Sequence, residues 1–169
     1  MKIVNIEPHY LEFLYSIDAR VPKEHKETGR RLRPFVGVVF SVDKVLYFAP
    51  LSSPKPKHLK LPNKALDIYK IDNGSLGVIN FNNMVPVKNE NVIEIDINAL
   101  PEQDLTDKQY KNLLVKQIIC IRKNENQIKR KAKALYNMVV YKRGSIKLLA
   151  RCCDFAELER AADLYKQEK

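Results

Sequence analysis

Two adjacent serines, Ser52 and Ser53, stand between Pro50 and Pro54. Lys55, Lys57, His58 and Lys60 follow them, and the stretch 47–62 contains no acidic residue. Hydroxyls and cations gathered this way have two readings. One is an exposed turn, because serine beside proline is common in loops for local hydrogen-bonding reasons. The other is a site for a phosphodiester, in which hydroxyls orient the phosphate and cations meet the charge that develops on it. Of the nearby groups, Arg33 cannot serve as a base, since guanidinium stays protonated, but its fork of donors fits a phosphate. His58 has an ordinary pKa of ~6.5, suited to proton transfer near neutrality.

The rest of the chain narrows the chemistry. It contains no Gly-rich phosphate loop, no zinc-binding Cys/His spacing and no GxSxG elbow. Its histidines, His9, His25 and His58, are scattered, and its acids form no cluster suited to magnesium. A phosphodiester cleaved here is therefore expected to be cleaved without a metal or other cofactor. RNA carries its own nucleophile, the 2′-hydroxyl, and DNA does not. Such a site needs a group to take the 2′-hydroxyl proton, donors for the developing charge and an acid for the departing 5′-oxygen.

Charge points the same way. The net charge is +10, and residues 154–169 hold five acids against three bases, so residues 1–153 carry 27 bases and 15 acids. That excess favours a polyanionic partner, nucleic acid above all. The polar stretch 20–33 adds Arg20, Lys23, Lys26, Arg30, Arg31 and Arg33 against Glu24 and Glu27. Asn80, Asn82 and Asn83 are turn formers by default, yet amides also read base edges, and Phe81 suits either the core or a base stack. Lys57 and Lys116 read as phosphate contacts or as plain surface. The basic run Lys129, Arg130, Lys131 and Lys133 reads as a solvated helix face that adds salt-sensitive affinity.

Several elements must position these groups. Residues 2–6 read as a strand, followed by a helix from Pro8 with Leu11, Leu14 and Ile17 as its apolar stripe. "PFVGVVFSVDKVLYFAP" reads as a hairpin turning at Asp43-Lys44, its second strand stopping at Pro50, with a loop to follow. Strand-like runs at 66–71, 76–81 and 91–97 are broken by Asn73-Gly74 and Asn82-Asn83. Helical spacing then takes over at Tyr110, Leu113, Leu114, Gln117, Ile118 and Ile121, and again at Ile128, Ala132, Leu135 and Val139. Asp154 and Glu157 read as a capping box opening a last helix, with Phe155, Leu158, Ala162 and Tyr165 inward. Strands first and helices later, without a βαβ rhythm, predict an α+β fold on a compact, strongly bent antiparallel sheet. At 169 residues, with no internal repeat or linker, the chain reads as one domain over 1–169.

No apolar run approaches the ~20 residues that cross a bilayer. "MKIVNIEPHYLEF" meets glutamate and proline before a signal-peptide core forms. Three cysteines, two of them adjacent, make no disulfide framework, so the expected compartment is the cytoplasm.

Four blocks, "RPFVGVVF" (33–40), "YFAPLSSPKPKH" (47–58), "LGVINFNNMVPV" (76–87) and "YKNLLVKQIICIRKN" (110–124), resemble the ToxN/AbiQ family of type III toxin–antitoxin and abortive-infection systems. The resemblance implies a sequence-selective, metal-independent endoribonuclease toxin with a fold similar to MazF and Kid and with added helices. It implies an antitoxin that is a small repetitive RNA, closing a protein–RNA assembly with the toxin. The family's active serine falls on Ser53, beside the hydroxyl of Ser52 and the lysine at Lys55, and its basic residue before the first sheet strand falls on Arg33. A loop tyrosine of some members has no match, since residue 29 is glycine, so its stacking or hydroxyl role is not carried over unless another group, such as Arg30 or Arg31, takes it. The rival reading is a non-catalytic RNA-binding growth inhibitor that uses the same basic groove.

Overall fold

A computed structural model describes residues 1–23, 31–43 and 45–165. Strand β1 (Lys2–Ile6) leads into helix α1 (Pro8–Ile17), whose first turn is capped by Glu7, its carboxylate accepting from the N–H groups of His9 and Tyr10 at 3.1 and 2.7 Å. The hairpin β2 (Phe35–Val42) and β3 (Val45–Ser52) turns at Asp43, which has a positive φ. A short helix α2 (Pro56–Lys60) follows, then β4 (Ile68–Lys70), β5 (Val78–Asn80), β6 (Val85–Val87) and β7 (Val92–Glu94). The second half is helical: α3 (Leu105–Lys123), α4 (Glu125–Val140), α5 (Ile146–Arg151) and α6 (Phe155–Leu164).

Among the described residues seven strands form one antiparallel sheet, ordered β4-β5-β3-β2-β1-β7, with β6 also paired to β3. One edge of β3 is thus shared. Leu46–Phe48 pair with β6, and Leu51 and Ser52 pair with β5. Together with a register shift between β2 and β3 at Gly37–Phe40, this handover bends the sheet, since an extra residue in one strand kinks the pair and increases its twist.

Helices α1, α3, α4 and α6 cover the sheet, and the buried residues form one continuous apolar cluster. The capping box at the start of α6 is present, with Asp154 accepting from the Glu157 N–H at 3.0 Å. Within the core, the hydroxyls of Tyr47 and Tyr136 both donate to Glu159 Oε1, at 2.7 and 2.8 Å. Those bonds join the middle of the sheet to α4 and α6 and satisfy polar atoms that burial would otherwise penalise.

Several local expectations need correction. β3 does not stop at Pro50; it runs on to Ser52, because β5 supplies pairing to Leu51 and Ser52 beyond the proline. The prolines that follow do not make a plain loop either, since Pro56 starts α2, where a missing N–H costs nothing. β6 was not among the expected strands; it contains Pro86, which lacks the N–H a ladder uses, while Val85 and Val87 on either side pair with β3 and fill the core. Helix α5 was not anticipated. Ile17 is 43% exposed, because the buried face of α1 runs through Tyr10, Leu11 and Leu14 instead. No helix among the described residues is long and apolar enough to cross a membrane.

Candidate active site

Pro34 sets where β2 begins. It accepts a bond from the Leu51 N–H at 2.9 Å but has no N–H to return, so pairing ends there. Phe35 lies opposite Pro50, and continuing that register by two residues sets Arg33 opposite Ser52. The Arg33 carbonyl is held from the other side by the side-chain amide of Asn5 at 3.0 Å. The Arg33 backbone is thereby held just before β2, level with the end of β3.

On its other edge, Ser52 pairs with Val78 of β5. Two residues along β5, the amide nitrogen of Asn80 donates to Ser52 Oγ at 2.8 Å and to the Pro50 carbonyl at 3.4 Å. Gly77 lies directly beneath the chain as it leaves β3. A Cβ placed on it would stand 2.0 Å from the Ser52 carbonyl oxygen and 3.0 Å from the Ser53 carbonyl carbon, and its φ is +98°. Only glycine adopts that conformation freely and leaves room for the Ser52–Ser53 backbone.

Ser53 and Lys55 are exposed, one residue apart, on the extended stretch that joins β3 to α2. Lys57 is also exposed, on α2 itself. His58 is not. It is 3% exposed, its N–H bonds to the Lys55 carbonyl at 2.8 Å, and its Nδ1 is buried with no hydrogen-bond partner. Burial, with the nearby charges of Lys55 and Lys57, holds the imidazole below its ordinary pKa and favours the neutral ring. A second turn anchors α2 from below: Lys70 Nζ donates to the carbonyls of Leu59 and Leu61, each at 3.1 Å, and Gly74 packs against the His58 carbonyl.

The remaining candidates are spread more widely. The Arg31 guanidinium lies 4.6 Å from the centre of the Tyr110 ring and is ion-paired with Asp107, so it ties the segment before β2 to the start of α3. Arg30 lies outside the described residues. The amides of Asn82 and Asn83 donate to the carbonyls of Arg151 and Arg20, at 3.4 and 2.7 Å, and so brace loops. Lys116 is exposed on α3. Its neighbour Gln117 is buried and donates to the Leu76 carbonyl at 2.7 Å, steadying the turn that carries Gly77. Lys133 lies over the rings of Phe40 and Tyr136, at 5.1 and 4.7 Å. With Lys129 and Arg130 it borders a groove of about 630 Å³ between β2 and α4. Among the described residues no group of three or more His, Cys, Asp or Glu side chains is placed to share a metal ion.

Sequence reasoning did not single out Gly77 or Lys70 for the site, and it left Gln117 between an RNA contact and plain surface, whereas Gln117 is buried and braces a backbone carbonyl. Each acts through a backbone atom distant in sequence, and a lone glycine inside a strand-like run says nothing of which backbone it will meet.

The chain as a whole has counterparts among known proteins. The family model described as "Toxin ToxN, type III toxin-antitoxin system" matches residues 2–163. The chain belongs to this toxin family. It is 32% identical over 170 residues to Endoribonuclease ToxN of Bacillus thuringiensis subsp. kurstaki, covering 98% of this chain and 84% of that protein. One solved structure, from work on a processed non-coding RNA that regulates a bacterial antiviral system, superposes with a TM-score of 0.82 at 30% identity, covering 98% of this chain and 100% of the other. A second, from work on selective toxin inhibition by a non-coding RNA pseudoknot in type III toxin–antitoxin systems, superposes with a TM-score of 0.76 at 31% identity, covering 99% and 98%. The family, and the α+β fold of an antiparallel sheet with helices mostly in the second half, thus agree with the resemblance carried by the four sequence blocks.

Proposed function

We propose that this chain is a sequence-selective endoribonuclease toxin, kept inactive by a small RNA antitoxin and acting in antiviral defence within the cytoplasm. The observation that carries the reading is the exposed pair Ser53 and Lys55 just past the end of β3, level with the chain at Arg33 when the β2–β3 register is continued. Membership of the toxin family and the endoribonuclease name of its relative support it. One continuous core supports a single domain as the unit of activity.

The reaction is transphosphorylation. The 2′-oxygen attacks the adjacent phosphorus and loses its proton to solvent water, the bond from phosphorus to the 5′-oxygen breaks, and that oxygen takes up a proton. The products are a 2′,3′-cyclic phosphate and a 5′-hydroxyl. Arg33 grips a non-bridging oxygen with its fork of donors. Lys55 neutralises the phosphorane and stands ready to protonate the departing oxygen. Ser53 orients the phosphate; an unactivated serine hydroxyl is a poor proton acceptor. His58 supports the loop from beneath, because a buried neutral ring on α2 faces away from water. Lys57, Lys116 and the basic face of α4 add affinity through counterion release.

The test uses one RNA oligonucleotide in two forms, all-ribo and with a single 2′-deoxy sugar immediately 5′ of a mapped cut. Wild-type protein should bind both alike and cut only the first, and Ser53→Ala should bind both and cut neither. Cleavage of the 2′-deoxy linkage, or wild-type cleavage by Ser53→Ala, sinks the mechanism. Binding without any cleavage by the wild type would leave an RNA-binding growth inhibitor.

A further inference from the structure

Asn80 stands out by its partner. An asparagine near the site was expected to face RNA, yet its amide nitrogen is turned back onto the sheet, 2.8 Å from Ser52 Oγ and 3.4 Å from the Pro50 carbonyl oxygen. The second contact settles the orientation of the amide. A carbonyl oxygen only accepts, so the edge of Asn80 that faces Pro50 must be its NH₂ group. That group supplies one N–H to Pro50 and one to Ser52. Ser52 Oγ is therefore an acceptor toward Asn80.

A serine hydroxyl has one proton to give and two lone pairs with which to accept. With Asn80 occupying a lone pair, the proton of Ser52 is left to point elsewhere, and among the described residues no side chain is placed to take it. The register that sets Arg33 opposite Ser52 brings this hydroxyl to the end of the sheet where Arg33 and the Ser53–Lys55 stretch lie. We infer that Asn80 is a positioning residue that fixes Ser52 as a hydrogen-bond donor to a non-bridging oxygen of the scissile phosphate. The inference rests on the endoribonuclease reading above and adds a polarity to it. Ser52 gives a proton toward the phosphate and never accepts the 2′-hydroxyl proton.

Asn80→Asp tests the polarity directly. The two side chains match in size, but a carboxylate accepts from Ser52 and turns its proton inward. Asn80→Ala instead frees the hydroxyl to rotate. An RNA transcript cut by the wild type locates a cleavage site, and an oligoribonucleotide spanning it is made with each phosphorothioate diastereomer at the scissile linkage. Losing one donor to a developing charge costs on the order of 10²-fold in rate. Asn80→Asp should therefore slow single-turnover cleavage about as much as Ser52→Ala, while binding of the 2′-deoxy oligonucleotide changes little. Asn80→Ala should fall between Asn80→Asp and wild type. In a Ser52→Ala background neither change should slow cleavage further. Sulfur accepts hydrogen bonds poorly, so the wild type should discriminate between the diastereomers, and Asn80→Asp and Ser52→Ala should lose that discrimination together.

Asn80→Asp at wild-type rate, or a full additional loss in the Ser52→Ala background, overturns the inference while leaving the endoribonuclease reading intact. So does an equal fall in binding and cleavage, or a new sequence preference at the cut, since either makes Asn80 an RNA contact. A wild-type protein that leaves RNA uncut overturns both.

Discussion

Gly77→Ala probes how closely the site depends on one backbone approach. The added Cβ would sit 2.0 Å from the Ser52 carbonyl oxygen, where ordinary contact begins near 3.4 Å, so the two strands must part by about 1.4 Å. The residue must also hold a φ of +98°, which costs an alanine on the order of 1–3 kcal/mol. Weakening the pairing of Leu51 and Ser52 with β5 adds about 1 kcal/mol. The sum, about 2–4 kcal/mol, lowers the melting temperature of a chain this size by roughly 4–16 °C. The functional loss should be larger. A shift of about 1 Å in a positioned group costs on the order of 10²-fold in rate, and the Ser52–Ser53 peptide is the part that moves. Thermal melts, urea titrations and single-turnover cleavage at saturating protein give the three quantities. Gly144→Ala is the control, since its Cβ meets only the flexible ends of Leu149 and Leu148 at 3.1 and 3.2 Å. A Gly77→Ala protein that melts with the wild type and cuts RNA at the same rate would refute the claim that this glycine sets the serine loop. Equal losses in Gly144→Ala would refute it too.

Alanine at Arg33 or Lys55 should reduce single-turnover cleavage by about 10²–10³-fold each and weaken binding of the uncleavable 2′-deoxy RNA far less; equal falls in both would make them ordinary phosphate anchors. His58, held below 6.5 by burial, keeps its full contribution to stability above pH 6.5. As pH falls below that value the unfolded chain takes up the proton first, so stability drains by at most about 1.4 kcal/mol per pH unit until the folded ring titrates. Urea midpoints at pH 7.5 and 5.5 should therefore drop more for wild type than for His58→Gln, and parallel drops would remove His58 from the pH dependence. Cleavage should persist in excess EDTA at constant ionic strength, because RNA and the Arg and Lys side chains supply the nucleophile and the donors; loss in EDTA that magnesium restores would contradict this.

Much of this molecule is legible in short windows of its sequence. The spacing of Leu114, Gln117, Ile118 and Ile121 in α3, and of Ile128, Ala132 and Leu135 in α4, specifies helices with one buried face, and those residues are buried. Asp154 and Glu157 define a helix start through a bond that spans three residues. The hairpin at Asp43 and the chemistry of the stretch 52–58 are equally local, since hydroxyls, prolines and lysines keep their character wherever the chain places them. What local pattern could not decide is pairing. Pro50 and Pro86 argue against strands from within their own windows, and both lie in strands because neighbours distant in sequence supply the pairing. The candidate site is likewise a product of register: the β2–β3 pairing, continued past Phe35 and Pro50, sets Arg33 level with Ser52, Asn80 reaches Ser52 across another strand pair, and Gly77 admits the backbone beside it. Those contacts join residues about 20 to 30 positions apart, and they exist only once the sheet has closed, because an extended chain offers Ser52 water on every side. The residue types present to act on a phosphodiester were therefore a property of the sequence, while the direction in which Ser52 offers its proton was decided by the tertiary structure.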